Sequence, residues 1–418
     1  MSPSSTTVPT ILLVGTADTK SDELAFLRQA LQAQGAGVLL MDVGVLAAGH
    51  AAVDITNAQV ADAAGTTLET LRTCGDENEA MTQMARGAAV LAASLHAQQR
   101  VQGLLVLGGT MGTDLAFDVA AALPLGLPKV VLSTVAFSHL IPPDRITPDL
   151  MMVLWAGGLY GLNSLCQSAL AQAAGAVVGA ARAAQPPRAG RPLIGMTSLG
   201  KSCLAYMVHL KPALEARGYE VAVFHTTGMG GRAFEALAAA GRFAAVFDFS
   251  LQELANHVGG SVVSAGADRL TGAGRSGTPQ LVAPGAVDMV DFPAWAPVPV
   301  ALEGRPVHVH NRLIASATSA PPLRRQIAEE IVLRLKQATG PTCLLMPQQG
   351  VEAWDRPGEP LHDPEGLAAF KQALEAAVAP SMRWVEVDAH INDLAFSQAA
   401  LKVFDTWVEE GRVVPGQP

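Results

Sequence analysis

Basic charge, paired cysteines and long apolar runs are all scarce in this chain, and each shortage removes a class of function. Lysine and arginine number 28 against 37 aspartates and glutamates, a formal net charge of −9. The basic face that nucleic acid or an anionic membrane selects is therefore not expected. An anionic small-molecule ligand must instead be held locally, by backbone amides and a few basic side chains. The four cysteines, Cys74, Cys166, Cys203 and Cys343, lie far apart without C-x-x-C spacing, which removes the case for zinc or a redox pair. They fit small buried residues of a reducing compartment. No apolar run reaches transmembrane length, and Met1 to Pro9 is polar without a basic leader. The cytoplasm is the default expectation. No G-x-G-x-x-G opens either half, the P-loop lysine is missing, and there is no G-x-S-x-G elbow, so a nicotinamide dehydrogenase, a P-loop NTPase and a serine hydrolase all lack support.

Half of the 418 residues are hydrophobic and 16% are charged, enough to bury two sizeable cores. Ala183 to Pro192, with three prolines and no apolar period, has the composition of a linker. Two domains are expected, 1–185 and 192–418. In the first, strands are predicted at Thr10 to Val14, Gly37 to Asp42, Val101 to Val106 and Lys129 to Thr134. Helices are predicted at Asp22 to Gln34, Val60 to Arg72, Glu77 to Gln99, Asp114 to Leu123 and Gly157 to Arg182. The alternation resumes after the linker, with strands such as Leu193 to Met196, Glu220 to Phe224, Ala244 to Asp248 and Val307 to His310, and helices such as Cys203 to Arg217. Strands joined through helices of this length pair in parallel. The fold class is α/β: two Rossmann-like domains with parallel sheets facing an interdomain cleft.

The stretch Leu107 to Thr113 (LGGTMGT) is the centre of the functional reading. A strand emptying into glycines and threonines before a helix leaves backbone N–H groups facing one spot, with the helix dipole behind them. Phosphate is the natural guest of Gly108, Gly109, Gly112 and Thr113, although the same glycines also suit a tight turn without a ligand. His225 to Arg232 (HTTGMGGR) repeats the logic through Gly228, Gly230 and Gly231. Arg232 would fork onto a carboxylate or phosphate, or stand solvated. His225 would serve as general acid or base or as a ligand hydrogen bond, a structural histidine being the alternative. Lys20 stands at a helix start, where the dipole disfavours a cation unless an anion is near. Asp42 ends a strand where doubly wound folds read a ribose hydroxyl. His308 and His310 alternate on one face and with Asn311 would line a cleft, a metal being less favoured. Asp18, Asp42, Asp268 and Asp288 lie at or near strand ends or helix starts, where capping alone explains most aspartates.

Taken in order, Gly15-Thr16-Ala17-Asp18-Thr19-Lys20, Asp42-Val43-Gly44-Val45, Leu123 to Lys129 with Ser133-Thr134-Val135-Ala136, Phe224 to Arg232, Ser264 to Leu270, Pro284 to Val290 and His390-Ile391-Asn392-Asp393 form a set. This set resembles the signature blocks of the ATP-binding domain family of the tomato mosaic virus resistance protein and its bacterial relatives. The resemblance implies ATP, with Mg2+ as its companion, in a cleft lined by Thr16, Asp18, Lys20, Gly109, Gly112, Thr113, Gly228, Gly230, Gly231 and Arg232, and a homodimer. It also implies a separate partner enzyme of the aldolase-type barrel class, since plant members resemble a fusion to such a barrel. The chain departs from the pattern at Met111, at Gly158 where an aspartate is customary, at Glu77 beside Asp76 where an arginine is expected, and at Ala315 to Thr318. An ATP-dependent enzyme acting on a small carboxylate or sugar acid is the expected function. A nucleotide-gated binding protein and a sugar-nucleotide enzyme of the glycosyltransferase or epimerase type are the alternatives.

Overall fold

A computed structural model describes residues 8–46, 52–185, 190–378 and 382–417. Residues 1–7, and residues 186–189 of the expected linker, lie outside the described residues. The chain divides into two compact units, Met1–Arg188 and Ala189–Pro418. Both are Rossmann-like α/β units.

Unit 1 runs β1 Thr10–Gly15, α1 Ser21–Ala33, β2 Gly37–Asp42, α2 Asn57–Ala63, α3 Leu68–Thr73, α4 Glu77–Ala97, β3 Gly103–Gly108, α5 Thr110–Ala121, β4 Lys129–Ser133, β5 Leu150–Leu154 and α6 Ser164–Ala183. Its five strands lie parallel in the order β2-β1-β3-β4-β5. Side chains of a strand alternate between faces. Leu12, Val14, Leu104 and Val106 accordingly enter one helix-covered layer, while Ile11, Leu13, Leu105 and Leu107 enter the other. With both faces buried these strands read as unbroken apolar runs.

Four features depart from the expected layout. The helix expected from Val60 to Arg72 is two, because Gly65 turns at φ +79 and Thr67 caps a new start by accepting from Thr70 N–H at 3.2 Å. The helix expected from Gly157 begins at Ser164, where Asn163 Oδ1 accepts from Leu165 and Cys166 N–H. Strand β5 was unforeseen: it is a half-exposed edge strand whose sequence, LMMVL, does not alternate. Helix α6 is long and apolar enough to cross a membrane by length and composition, yet it packs on the sheet through Cys166, Leu170, Ala173 and Val177. Of the cysteines, Cys74 is exposed rather than buried.

Unit 2 comprises β6 Leu193–Ser198, α7 Ala205–Ala216, β7 Glu220–His225, α8 Met229–Ala239, β8 Ala245–Asp248, α9 Gln252–Val258, α10 Gly272–Ser276, β9 Gln280–Val282, β10 Met289–Pro293, β11 Val307–Val309, β12 Ile314–Thr318, α11 Pro321–Leu335, β13 Thr342–Pro347, α12 Pro364–Ala377, β14 Arg383–Val387 and α13 Leu394–Glu409. Its main sheet has six strands, all parallel, in the order β14-β13-β9-β8-β6-β7. The remaining three strands form an antiparallel sheet, β10-β12-β11, which corrects the all-parallel expectation. A short turn lets β11 and β12 pair as neighbours, and β10 joins the other edge of β12 across residues 294–313, whereas parallel pairing needs a crossover.

Both parallel sheets share one topology. Renumbered within its unit, each places its second strand outside the first and its third on the other side of the first. The chain therefore reverses direction between strands one and three, and the carboxyl ends of those strands open a crevice there.

Candidate functional site

In unit 1 the crevice lies between β1 and β3 and is bounded by a cleft of ≈ 750 Å³. Thr16, Asp18, Lys20, Gly108, Gly109 and Gly112 all line it. Three of the expected glycines thus sit on one concave surface with the loop that follows β1.

Helix α5 starts at Thr110, four residues earlier than expected, so the glycine stretch is its first turn rather than a free loop. Gly109 is the N-cap residue and has no side chain to cap with. Thr113 N–H closes on Gly109 C=O at 2.8 Å, while among the described residues no acceptor meets the N–H groups of Thr110, Met111 and Gly112. These are the orphan donors of a helix start, at its positive dipole end. Gly108 is required by close approach: a Cβ there would lie 2.5 Å from Gly112 Cα. Thr113 is turned away from the cleft. It is buried, and its hydroxyl lies 2.7 Å from both Gly109 C=O and Ser133 Oγ.

The loop after β1 is held tightly. Thr16 C=O accepts from Lys20 N–H at 2.9 Å, and Asp42 Oδ1 accepts from Ala17 and Gly44 N–H at 2.9 and 2.8 Å. Asp42 is buried and does not line the cleft, so the ribose-reading role expected of it is replaced by tying two loops together. Burial raises its carboxyl above the ordinary range, against two stabilising amide bonds. Asp18 accepts from Leu46 N–H through Oδ2, and its Oδ1 is buried without a donor. Lys20 lies 5.2 Å from the centroid of the exposed Tyr160 ring, a cation–π contact that leaves its charge at the rim.

Arg72 is a cleft residue that the sequence reading missed. Its Nε donates to Val45 C=O at 2.5 Å, and it shares the cleft with Lys20. A cation in a last helical turn is ordinarily read as dipole compensation, so no sequence signal marked it. Leu46, Leu71, Ala80, Met81 and Met111 supply an apolar wall, and Asp76 and Glu77 an acidic edge. The departures at Met111 and Glu77 therefore face the cleft.

Unit 2 treats its glycine turn differently. Gly228 and Gly231 N–H both donate to Glu253 Oε1, at 2.6 and 3.1 Å. A Cβ on Gly231 would lie 1.7 Å from Glu253 Oε2. The amides expected to hold a ligand's phosphate hold the chain's own carboxylate. Gly230 is needed because a Cβ would lie 1.8 Å from His225 C=O. Glu253 belongs to a buried network centred on Arg269, whose guanidinium reaches Glu253 at 3.1 Å, Glu235 at 3.0 Å and Asp248 at 2.5 Å. Three carboxylates around one guanidinium leave uncompensated negative charge in a dry site. Burial pushes Glu253 up to about 7 and raises Glu235 as well, despite Arg269. Glu235 in turn accepts from Leu270, Thr271 and Gly272 N–H at the start of α10.

His225 is exposed and its Nδ1 accepts from Gly200 N–H at 3.3 Å. Arg232 Nη1 donates to Ala265 C=O at 3.3 Å, and its Nε is buried without an acceptor. His308 and His310 do share a face, stacked toward Trp354 with ring centroids 3.9 and 6.0 Å away. Asn311 caps a turn through Leu313 and Ile314 N–H. Among the described residues no group of three or more His, Cys, Asp or Glu is placed to hold a metal ion.

The N-terminal domain of the uncharacterised protein family UPF0261 matches residues 9–186, and its C-terminal domain matches residues 191–408. The chain belongs to this family. A UPF0261 protein of Brucella melitensis is 54% identical over 98% of both chains. A UPF0261 protein of Clostridium tetani is 33% identical over 96% of this chain and 99% of its own. The ToMV resistance protein Tm-1(GCR237) of Solanum lycopersicum is 29% identical over 98% of this chain and 57% of its own. The UPF0261 chain thus spans little more than half of the tomato protein. Among solved structures, E. coli ADP-heptose lps heptosyltransferase II aligns at 11% identity with a TM-score of 0.18, a likeness too low to bear on fold or function.

Proposed function

We propose that the unit 1 cleft is a nucleotide site and that the protein is an ATP-dependent enzyme acting on a small carboxylate or sugar acid. The observation that carries the reading is the set of unpaired N–H groups at Thr110, Met111 and Gly112, at the positive end of α5 and beside the crevice between β1 and β3. The cleft volume of ≈ 750 Å³ suits a nucleotide, and the apolar wall suits a base. In this reading the α5 amides hold phosphate, Lys20 and Arg72 add positive charge, and Met81 and Leu71 face the base. Mg2+ would arrive with the nucleotide, because it takes most of its ligands from phosphate and water. Within unit 2, Arg232, whose Nε meets no acceptor, and His225 would bind a carboxylate and move a proton. A homodimer, an aldolase-type partner and a cytoplasmic setting belong to this proposal.

Calorimetry with ATP tests it. Wild type is expected to bind, and Gly112→Trp, which places a ring over the amides, is expected to bind about a hundredfold more weakly. Equal affinities, or no binding to wild type, sink the reading. The alternative of a nucleotide-gated binding protein draws support from His225, whose Nδ1 accepts from Gly200 N–H and which pairs with no carboxylate among the described residues. Tight ATP binding with no turnover of any tested acid would favour that alternative.

A further inference from the structure

A second cavity, of ≈ 310 Å³, lies within unit 2 beyond the carboxyl ends of β9 and β13 and against α11 and α12. The nucleotide reading uses none of its residues. Its size is at the lower end for small-molecule sites. Val287, Leu367 and Phe370 give it an apolar wall, and Asp288, Gln348 and Arg324 give it polar groups of both signs.

All three of those polar groups carry a buried atom without a hydrogen-bond partner. Asp288 is 5% exposed, and its Oδ1 meets no donor. The neighbouring Asp355 is saturated: Oδ1 lies 3.0 Å from His390 Nε2, and Oδ2 accepts from Val351 N–H at 2.6 Å. Gln348 presents the opposite vacancy, since Lys371 Nζ donates to its Oε1 while its Nε2 finds no acceptor. Arg324, 1% exposed, is ion-paired with Asp363 at 2.8 Å and donates from Nε to Ser319 C=O, while its Nη2 makes no hydrogen bond. One cavity therefore holds an acceptor wanting a donor and two donors, on Gln348 and Arg324, wanting an acceptor, all shut off from water, a costly arrangement unless a guest completes it.

We propose that this cavity binds a small amino acid, its ammonium donating to Asp288, its carboxylate accepting from the Gln348 amide, and an aliphatic side chain resting on Leu367 and Phe370. A cation suits Asp288 better than a neutral hydroxyl does. Burial and the Asp355 charge hold its carboxyl well above the ordinary range, opposed by Arg324 from α11 and reinforced by Asp363 at the start of α12. Glu352, also raised by burial and by Asp288, adds no positive charge, and His390 faces Asp355 rather than Asp288. The ligand's ammonium is the missing countercharge, so binding strengthens as rising pH ionises Asp288.

The test is a thermal-shift and calorimetric panel of the standard L-amino acids on the full chain, with the deaminated acid and the decarboxylated amine of each hit. An aliphatic amino acid is expected to raise the midpoint and to bind more tightly at pH 8 than at pH 6. Each analogue should bind about tenfold or more weakly, as loss of a charged hydrogen bond predicts. Asp288→Asn should abolish binding. Leu367→Trp, which fills the cavity without touching its polar groups, should abolish it too and decides the matter if Asp288→Asn does not fold. No binding by wild type, analogues equal to the amino acid, or Leu367→Trp binding like wild type would overturn the proposal. ATP affinity measured on the same variants should not change, which keeps this test separate from that of the nucleotide site.

Discussion

At the crevice of unit 1, the helix after the third strand, α5, begins with amides that meet no acceptor among the described residues. At the crevice of unit 2, the helix after the third strand, α9, carries Glu253 in its first turn, and that carboxylate reaches the amides of the glycine turn before α8. The strand order is shared, and each unit has a glycine turn, which follows the third strand in unit 1 and the second in unit 2. The difference is one acidic side chain and the arginine that accompanies it. A crevice formed by topology is only an opportunity for a ligand; a chain can occupy it with its own charge, in which case the glycines serve packing. Fold alone therefore does not locate function.

The largest expected effect comes from emptying the occupied crevice. Arg269→Met leaves Asp248, Glu235 and Glu253 buried without their counterion, and breaking a buried pair costs about 3–5 kcal/mol. For a unit of this size the melting midpoint should drop by ~10 °C in calorimetric scans. An unchanged midpoint would show that the network is not what holds this crevice shut.

Next is the pH response of the same network. Glu253 titrates at about 7 in the fold against 4.5 for the free side chain. A raised carboxyl binds its proton more tightly folded than unfolded, so unfolding releases protons between those values. Stability should therefore fall as pH rises from about 4.5 through 7, by roughly 3 kcal/mol at most. Glu253→Gln, which keeps an oxygen toward Gly228 and Gly231, should flatten that slope in urea titrations at pH 5 and 8.

The open crevice is probed through its ligand. Gly112→Trp should weaken ATP by about a hundredfold, and by no less than tenfold if phosphate contacts dominate. A smaller loss would mean that the nucleotide avoids the α5 amides. Smallest of all, Arg72→Ala should weaken ATP several-fold, with a reduced salt dependence, because partly exposed charges contribute on the order of 1 kcal/mol or less. A salt response identical to wild type would remove Arg72 from the phosphate end.

Much of this comparison was legible from residue order. The run Val101 to Val106 followed by LGGTMGT announces a buried strand and a helix, though the helix begins four residues before the expected Asp114, and Gly15 to Lys20 reads as a polar turn between a strand and a helix. Thr113 was misjudged because a threonine at a helix start offers its hydroxyl equally to a ligand or to a neighbouring strand, and Ser133 on β4 took it. Asp42 was misjudged likewise: a strand-end aspartate reads ribose or ties loops, and only the position of Ala17 decides. Arg269 sat in a recognisable block, Ser264 to Leu270, yet nothing local states that its partners come from β8, α8 and α9.

By itself the sequence determined two Rossmann-like units, the strands at their centres and the glycine turns at their edges, because periodicity and backbone freedom are local properties. Tertiary structure alone decided which turn stays open. Whether an amide meets a ligand or a glutamate depends on charges brought together from distant positions, as Glu253 is brought to Gly228 across 25 residues. Desolvation, which sets the worth of that meeting, exists only once the chain has closed around it.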